Sequence, residues 1–166
     1  MKLALFIASL LITTAASAFD QLYVDRLLET RNCHHCSLND ADLSGKELNG
    51  ADMSESNLKN INLSNTKLVG AWFTHSRVHN ANLEKADLTN TLLNEATFDG
   101  ANLKGANLTN AKFNFSDLTN ANLEGAILKD TIFRGVVFCN TTMPDGSVDN
   151  SGCPKPKPVS DEKADD

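Results

Sequence analysis

The sequence lacks the residue combinations on which most enzymes depend. It contains no nucleophile set beside a base and an acid, no glycine loop that would hold a phosphate, and no aspartate-rich loop that would bind a metal ion. These absences favour a protein without catalytic activity. They also give no reason to expect catalytic residues, a cofactor or a bound metal ion.

Basic residues are scarce as well. Lysine and arginine total 15 against 21 aspartate and glutamate residues, so the formal net charge is −6. Proteins that bind nucleic acid normally carry a basic surface that neutralises phosphates. The acidic balance therefore argues against a nucleic-acid partner and favours solubility.

Long apolar runs are limited to one, near the N-terminus. Lys2 precedes an apolar stretch over residues 3–14, and small residues follow at 16–18. The stretch is too short to span a bilayer comfortably, and this order of features is typical of a secretory signal peptide. We predict that residues 1–18 are removed and that the mature protein is exported to the periplasm or the extracellular space without a membrane anchor. The thylakoid lumen is the corresponding compartment if the source is photosynthetic.

The main feature that the sequence does contain is an apolar residue at every fifth position. An α-helix would place apolar residues about 3.6 positions apart and a flat strand would place them two apart, so a period of five indicates a third geometry. The series has twenty-two members: Leu38, Leu43, Leu48, Met53, Leu58, Leu63, Leu68, Phe73, Val78, Leu83, Leu88, Leu93, Phe98, Leu103, Leu108, Phe113, Leu118, Leu123, Leu128, Phe133, Phe138 and Met143.

Units such as ADLSG (41–45), ANLKG (101–105) and ANLTN (106–110) carry this series. They resemble the A-(D/N)-L-x-x pattern of the pentapeptide-repeat family. The resemblance implies an all-β fold, a right-handed quadrilateral parallel β-helix with one pentapeptide on each side and twenty residues in each coil. We assign residues 33–145 to this β-helix, and its units predict about 5.5 coils.

Side-chain alternation explains the pattern on such a coil. The central apolar residue and the residue two positions before it point inward, because strand side chains alternate between two faces. The second inward position is usually alanine, which fits beside a bulky neighbour in a narrow interior. Asparagine and glycine suit the corners, where the chain turns after every five residues.

The segment before the repeat predicts a capping helix over residues 19–32. Its apolar residues Tyr23, Val24, Leu27 and Leu28 have helical spacing, and Asp20 is placed as an N-cap. A helix this short is not stable alone, so its apolar face is expected to cover the first coil.

The segment after the repeat divides into two parts. Residues 146–153 break the five-residue pattern and are expected to form a C-terminal cap closed by a disulfide bond. Residues 154–166 are rich in proline and charge, which predicts a disordered tail.

Four cysteines in an exported chain predict disulfide bonds. On the β-helix that the family resemblance implies, Cys33 and Cys36 lie at one end and Cys139 and Cys153 lie at the other, about 25 Å away. Since the Cα atoms of a disulfide lie within about 7 Å, the expected pairs are Cys33–Cys36 and Cys139–Cys153.

The sequence Cys33-His34-His35-Cys36 leaves two alternatives open. A Cys-x-x-Cys motif is typical of thiol–disulfide oxidoreductases, and two cysteines with two histidines could bind zinc. We expect a structural disulfide, because the motif follows a helix rather than starting one. Adjacent histidines also fit poorly around one tetrahedral ion that both cysteines bind.

Several aromatic, aliphatic and basic side chains interrupt the polar outward positions. Trp72 is the only tryptophan, and stacking by twenty residues makes its position continuous with Leu92 and Ile132. Such side chains on a surface otherwise built from asparagine and aspartate are candidates for protein contact. The predicted contact patch consists of Trp72, His75, Arg77, His79, Leu92, Phe115 and Ile132.

These expectations describe a non-enzymatic exported scaffold that binds another, unidentified protein through one face of the β-helix. Two other functions stay open. The first is a DNA-mimicking role of the topoisomerase-protection type, which some members of the family have. The second is thiol–disulfide redox activity at Cys33 and Cys36. If two copies associate, we expect a homodimer joined end to end.

Overall fold

The computed structural model describes residues 15–155. The predictions for residues 1–14 of the signal peptide and for residues 156–166 of the tail lie outside this part of the chain. The described part contains one helix, a long solenoid of parallel β-bridges and a short antiparallel hairpin.

Helix α1, Ala15–Thr30, starts earlier than the sequence predicts. The predicted N-cap at Asp20 is wrong, because Asp20 lies inside the helix. Alanine has the highest helix propensity, and the alanines before Phe19 extend the helix toward the N-terminus. Between residues 15 and 155, no helix is long and apolar enough to cross a membrane.

One face of α1 packs on the core of the solenoid. Leu27 is fully buried. Tyr23, Val24 and Leu28 are partly buried and pack against the same apolar cluster. The helical spacing of these four residues in the sequence therefore identified the face correctly.

The solenoid repeats every twenty residues. Parallel β-bridges join residues twenty positions apart over residues 32–142, and successive bridges are five residues apart. At one of them the Leu63 N–H donates to the Asn82 carbonyl oxygen at 2.7 Å, and the Asn82 N–H donates to the Ile61 carbonyl oxygen at 2.9 Å. Four such sides in each coil confirm a parallel β-helix with one pentapeptide on each side.

The core is a single column of side chains inside the coils. Every central apolar residue from Leu38 to Leu123 is fully buried, and the alanines of the other inward position are buried from Ala51 to Ala126. This agrees with the predicted alternation of large and small inward residues. The last central residues are only partly buried, at the end of the core: Leu128, Phe133, Phe138 and Met143.

The corners require a positive φ. Every fifth residue from His35 to Asn140 has a positive φ, with values from 53° at Asn80 to 69° at Gly70. Each of these residues is third in a turn, and the turn around Gly70 is closed by the Ala71 N–H, which donates to the Leu68 carbonyl oxygen at 2.9 Å. Glycine and asparagine adopt this conformation at least cost, which explains their frequency at the corners.

The asparagine or aspartate before the central residue also has a backbone role. The Asp52 carboxylate accepts a hydrogen bond from the Ser54 N–H at 2.9 Å, and the Asn102 side-chain oxygen accepts one from the Lys104 N–H at 3.1 Å. These side chains satisfy an amide at the start of the turn that the neighbouring coils leave unpaired.

The chain after the solenoid folds back as a hairpin. Strand β1, Thr141–Thr142, pairs antiparallel with strand β2, Val148–Asp149, and Thr141 lies opposite Asp149. The hairpin is tied to the last coil by the Cys139–Cys153 disulfide, whose Cα atoms are 4.7 Å apart.

Candidate functional site

Three residues of the predicted contact patch lie in one column of the solenoid. Parallel bridges join Trp72 to Leu92, Leu92 to Lys112 and Lys112 to Ile132. Trp72 is 50% exposed and Ile132 is 44% exposed. Leu92 is partly buried in the column between Trp72 and Lys112.

Phe115 lies at the corner beside this column and is 60% exposed. Its ring lies over Gly135 of the next coil, where an added Cβ would be 2.7 Å from the ring. The Arg134 guanidinium carbon is 5.9 Å from the ring centroid, a distance typical of a cation–π contact. Phe115 has a φ of 59°, which is costly for a bulky residue.

The fold does not need apolar residues in the Trp72 column. Asp52 occupies the same column one coil earlier, and its carboxylate accepts the Ser54 N–H. Trp72 and Leu92 have no oxygen that could do the same. Over residues 15–155, the amides of Thr74 and Asn94 consequently have no acceptor in the protein. Asparagine at either position would supply that hydrogen bond.

The polar members of the predicted patch lie at the corner and on the adjacent side. His75 occupies the same corner column as Phe115, and its Nδ1 is 3.5 Å from the Glu95 Oε2. Arg77 is exposed on the adjacent side, and His79 is partly buried. The seven predicted residues therefore lie on two adjacent sides of the solenoid and at the corner between them.

Two exposed apolar residues on the sides of the solenoid were missing from the prediction. Ile127 is 54% exposed and Val137 is 38% exposed, and both lie at outward positions of the last coil on either side of Ile132. The sequence signal was present, since asparagine or aspartate is the common residue at these positions.

Both predicted disulfides are present, and the four cysteines leave no free thiol. Cys33 is 0% exposed and Cys36 is 2% exposed. Exchange with another protein requires a thiolate to reach one of these sulfurs, and their burial opposes that attack. A zinc site that uses the two cysteines is wrong, because their sulfurs are bonded to each other.

The two histidines between these cysteines converge on a residue of the next coil. His34 Nε2 is 3.7 Å from Glu55 Oε1, and His35 Nε2 is 3.5 Å from Glu55 Oε2. His35 and Glu55 line a groove of about 390 Å³, together with Tyr23 and Arg77. All three groups are exposed to solvent.

Charged residues on other sides of the solenoid are paired between coils. The Lys67 Nζ is 2.6 Å from Glu47 Oε1, and the Lys104 Nζ is 2.8 Å from Glu124 Oε2. The hydrogen bond and charge of each glutamate raise the pKa of its lysine, and Lys67 lowers the pKa of Glu47 in the same way. These two pairs therefore place opposite charges side by side in adjacent coils.

The fold and the corner pattern define a pentapeptide solenoid, and the comparisons with known proteins agree. The family description "Pentapeptide repeat region" matches residues 31–108, and "Pentapeptide repeats (8 copies)" matches residues 116–146. The chain belongs to the pentapeptide-repeat family, whose members form right-handed quadrilateral β-helices. A comparison with curated proteins gives no match.

Several solved pentapeptide-repeat structures are similar. Rfr23 from the cyanobacterium Cyanothece 51142 is 26% identical, with a TM-score of 0.72 over 74% of this chain and 98% of Rfr23. A pentapeptide repeat protein from the thylakoid lumen of Arabidopsis thaliana is 32% identical over 70% of each chain, with a TM-score of 0.27. QnrB1, a plasmid-mediated fluoroquinolone resistance protein, is 16% identical over 73% of this chain and 78% of QnrB1, with a TM-score of 0.43.

Proposed function

We propose that the protein is a non-enzymatic exported scaffold that binds another protein through the Trp72 column. The scaffold has 5.5 coils, with α1 as its N-terminal cap and the Cys139–Cys153 segment as its C-terminal cap. The presence of two disulfides supports an oxidising compartment such as the periplasm, the extracellular space or the thylakoid lumen.

The single observation that carries this proposal is the exposure of Trp72, Phe115 and Ile132 on one side and its corner. Large aromatic and aliphatic side chains contribute most of the binding energy in protein interfaces. Trp72 also occupies a position where aspartate or asparagine would add a backbone hydrogen bond, as Asp52 does. Because Trp72 lacks this stabilising hydrogen bond, we infer that tryptophan is kept at this position for binding rather than for folding.

The two alternatives have less support. A DNA mimic needs a continuous acidic surface, whereas here Glu47 and Glu124 each pair with a lysine of an adjacent coil. A redox protein needs an accessible sulfur, whereas Cys33 and Cys36 are buried.

The test replaces the apolar side chains and leaves the coils intact. We would make Trp72→Asn, Leu92→Asn, Phe115→Asn and Ile132→Asn together, because the repeat already uses asparagine at outward and corner positions. Wild-type and variant proteins would then capture partners from the exported fraction of the source cells, with folding checked by circular dichroism. We expect at least one partner to be lost at unchanged ellipticity.

A matched control exchanges two side chains on another side of the same coils. Asp87→Asn with Asn107→Asp keeps the net charge and a side-chain oxygen at each position, and the two residues already contact each other at 3.4 Å. This control should capture the wild-type set of partners. If the quadruple variant also captures the full set, the Trp72 column is not the binding face.

A further inference from the structure

We propose that His34, His35 and Glu55 form a binding site for one divalent transition-metal ion at the N-terminal corner of the solenoid. The site is independent of the Trp72 column and of any protein partner. It differs from the zinc site considered in the sequence, because Glu55 takes part and the two disulfide-bonded cysteines do not.

The ligand atoms already converge. The two imidazoles approach different oxygens of one carboxylate, at 3.7 Å for His34 and 3.5 Å for His35. One ligand atom from each of the three residues lies within 4.8 Å of the other two. An ion with bonds of about 2.0–2.2 Å to nitrogen and oxygen fits between atoms at such separations after small side-chain rotations.

The backbone explains how two adjacent histidines can face one point. They occupy the middle of the turn that the Cys36 N–H closes on the Cys33 carbonyl oxygen at 3.3 Å, and His35 has a φ of 58°. In this conformation the two rings lie on the same side, with centroids 4.1 Å apart. The Cys33–Cys36 disulfide joins the ends of the turn and so holds this geometry before a metal ion binds.

The twenty-residue register supplies the third ligand. Glu55 is the corner residue one coil above His35, and the Glu55 N–H donates to the Thr74 carbonyl oxygen at 2.9 Å in the following coil. The backbone that carries the Glu55 carboxylate is therefore held in place by a hydrogen bond to the following coil. An ion bound here would join the first coil to the second.

The donor set indicates which ions the site takes. Two imidazole nitrogens with one carboxylate suit zinc, copper or nickel, whereas magnesium and calcium prefer ligands that are all oxygen. The exposure of the three groups leaves room for water or a further ligand to complete the coordination.

The experiment titrates Zn²⁺ into tag-free, oxidised, metal-free protein by isothermal calorimetry. We expect one ion per chain, and no saturable binding of Mg²⁺ under the same conditions. His34→Asn, His35→Asn and Glu55→Gln should each weaken Zn²⁺ binding at least tenfold. His35→Asn keeps a residue that tolerates positive φ, so a loss of binding there does not reflect a broken corner.

The matched control is Glu95→Gln. Glu95 faces His75 at 3.5 Å at the same corner two coils further on, and this pair has one histidine instead of two. The control should bind Zn²⁺ as the wild type does. Electron paramagnetic resonance of the Cu²⁺-loaded protein should show two coordinated nitrogens, and one after His34→Asn.

Three results would overturn the proposal: no saturable Zn²⁺ binding to the wild type, unchanged affinity in the three ligand variants, or an equal loss in Glu95→Gln.

Discussion

Single corner residues decide whether each turn closes at low cost. Gly70 has a φ of +69°, and a Cβ added there would meet no heavy atom within 4 Å. Gly70→Ala therefore changes only the backbone preference at this corner, because the added methyl group meets no neighbouring atom. We expect the free energy of unfolding to fall by about 1–2 kcal/mol, as urea denaturation followed by circular dichroism would measure.

Gly70→Asn is the control for that experiment. Asparagine occupies seven other corners of the solenoid, and it visits positive φ at lower cost than alanine. It should keep most of the wild-type stability. Equal losses for alanine and asparagine would mean that the corner φ does not set the cost of substitution.

The choice of residues at the corners was predictable from sequence only in part. Asparagine and glycine follow from the need for a positive φ, and the structure confirms them. No such rule accounts for Phe115, whose ring is explained by its contacts with Gly135 and Arg134 of the next coil. A contact between coils depends on side-chain conformation as well as on register.

Among the elements, the solenoid was predictable in register and helix α1 only in part. The period of five excludes an ordinary helix or flat strand, and the family resemblance implies four sides in each coil and so a spacing of twenty. The start of α1 depends on a competition between the cap at Asp20 and the helix propensity of the alanines before it. The sequence could not rank these two small effects.

The candidate sites were likewise predictable in part from the sequence. Register alone places Glu55 above His35 and Ile132 in the Trp72 column. It does not determine that Leu92 is shielded, because burial in a column depends on the sizes of the neighbouring side chains. Nor does it determine that His34 turns toward Glu55, which results from the turn that the disulfide closes.

The C-terminal hairpin contains two aspartates whose pKa values make its stability depend on pH. Side-chain and backbone hydrogen bonds from Ser147 lower the pKa of Asp145, and backbone and side-chain hydrogen bonds from Ser151 lower the pKa of Asp149. A folded-state pKa below the unfolded value adds stability above the unfolded pKa, and this is lost as pH falls through the folded value. We expect hydrogen exchange at residues 139–153 to accelerate, relative to the intrinsic rate, below about pH 4.

Asp145→Asn with Asp149→Asn tests the origin of that acceleration. Both asparagines keep an oxygen that can accept the serine amides, and neither titrates. The double variant should show a smaller change in protection between pH 6 and pH 3 than the wild type. The same change in both proteins would place the acid sensitivity elsewhere in the chain.

The whole molecule has two unlike ends. The N-terminal end is covered by α1, whose Leu27 is fully buried in the core. At the other end, the segment after the hairpin covers the side of the solenoid that contains Phe138. There the Gly152 N–H donates to the Phe138 carbonyl oxygen at 2.8 Å. Over residues 15–155, the amides of Leu128 and Phe133 have no acceptor, so two sides of the last coil form an open edge.

An open β-edge beside apolar side chains favours pairing with another edge. Because the N-terminal end is covered, the partner edge in a second copy is the same C-terminal edge. We therefore expect a homodimer joined through the last coils. Sedimentation equilibrium over a range of protein concentrations should show monomers and dimers in exchange.

Lysine on an edge strand opposes such pairing, because its charge cannot be buried between two strands. Ile127→Lys should shift the protein to monomer with unchanged circular dichroism, since Ile127 is 54% exposed and outside the core. Leu22→Lys is the control, because Leu22 is 61% exposed on α1 at the opposite end and should leave the dimer intact. A wild type that is monomeric at every concentration, or a dimer that Leu22→Lys dissociates equally, would exclude the C-terminal edge as the interface.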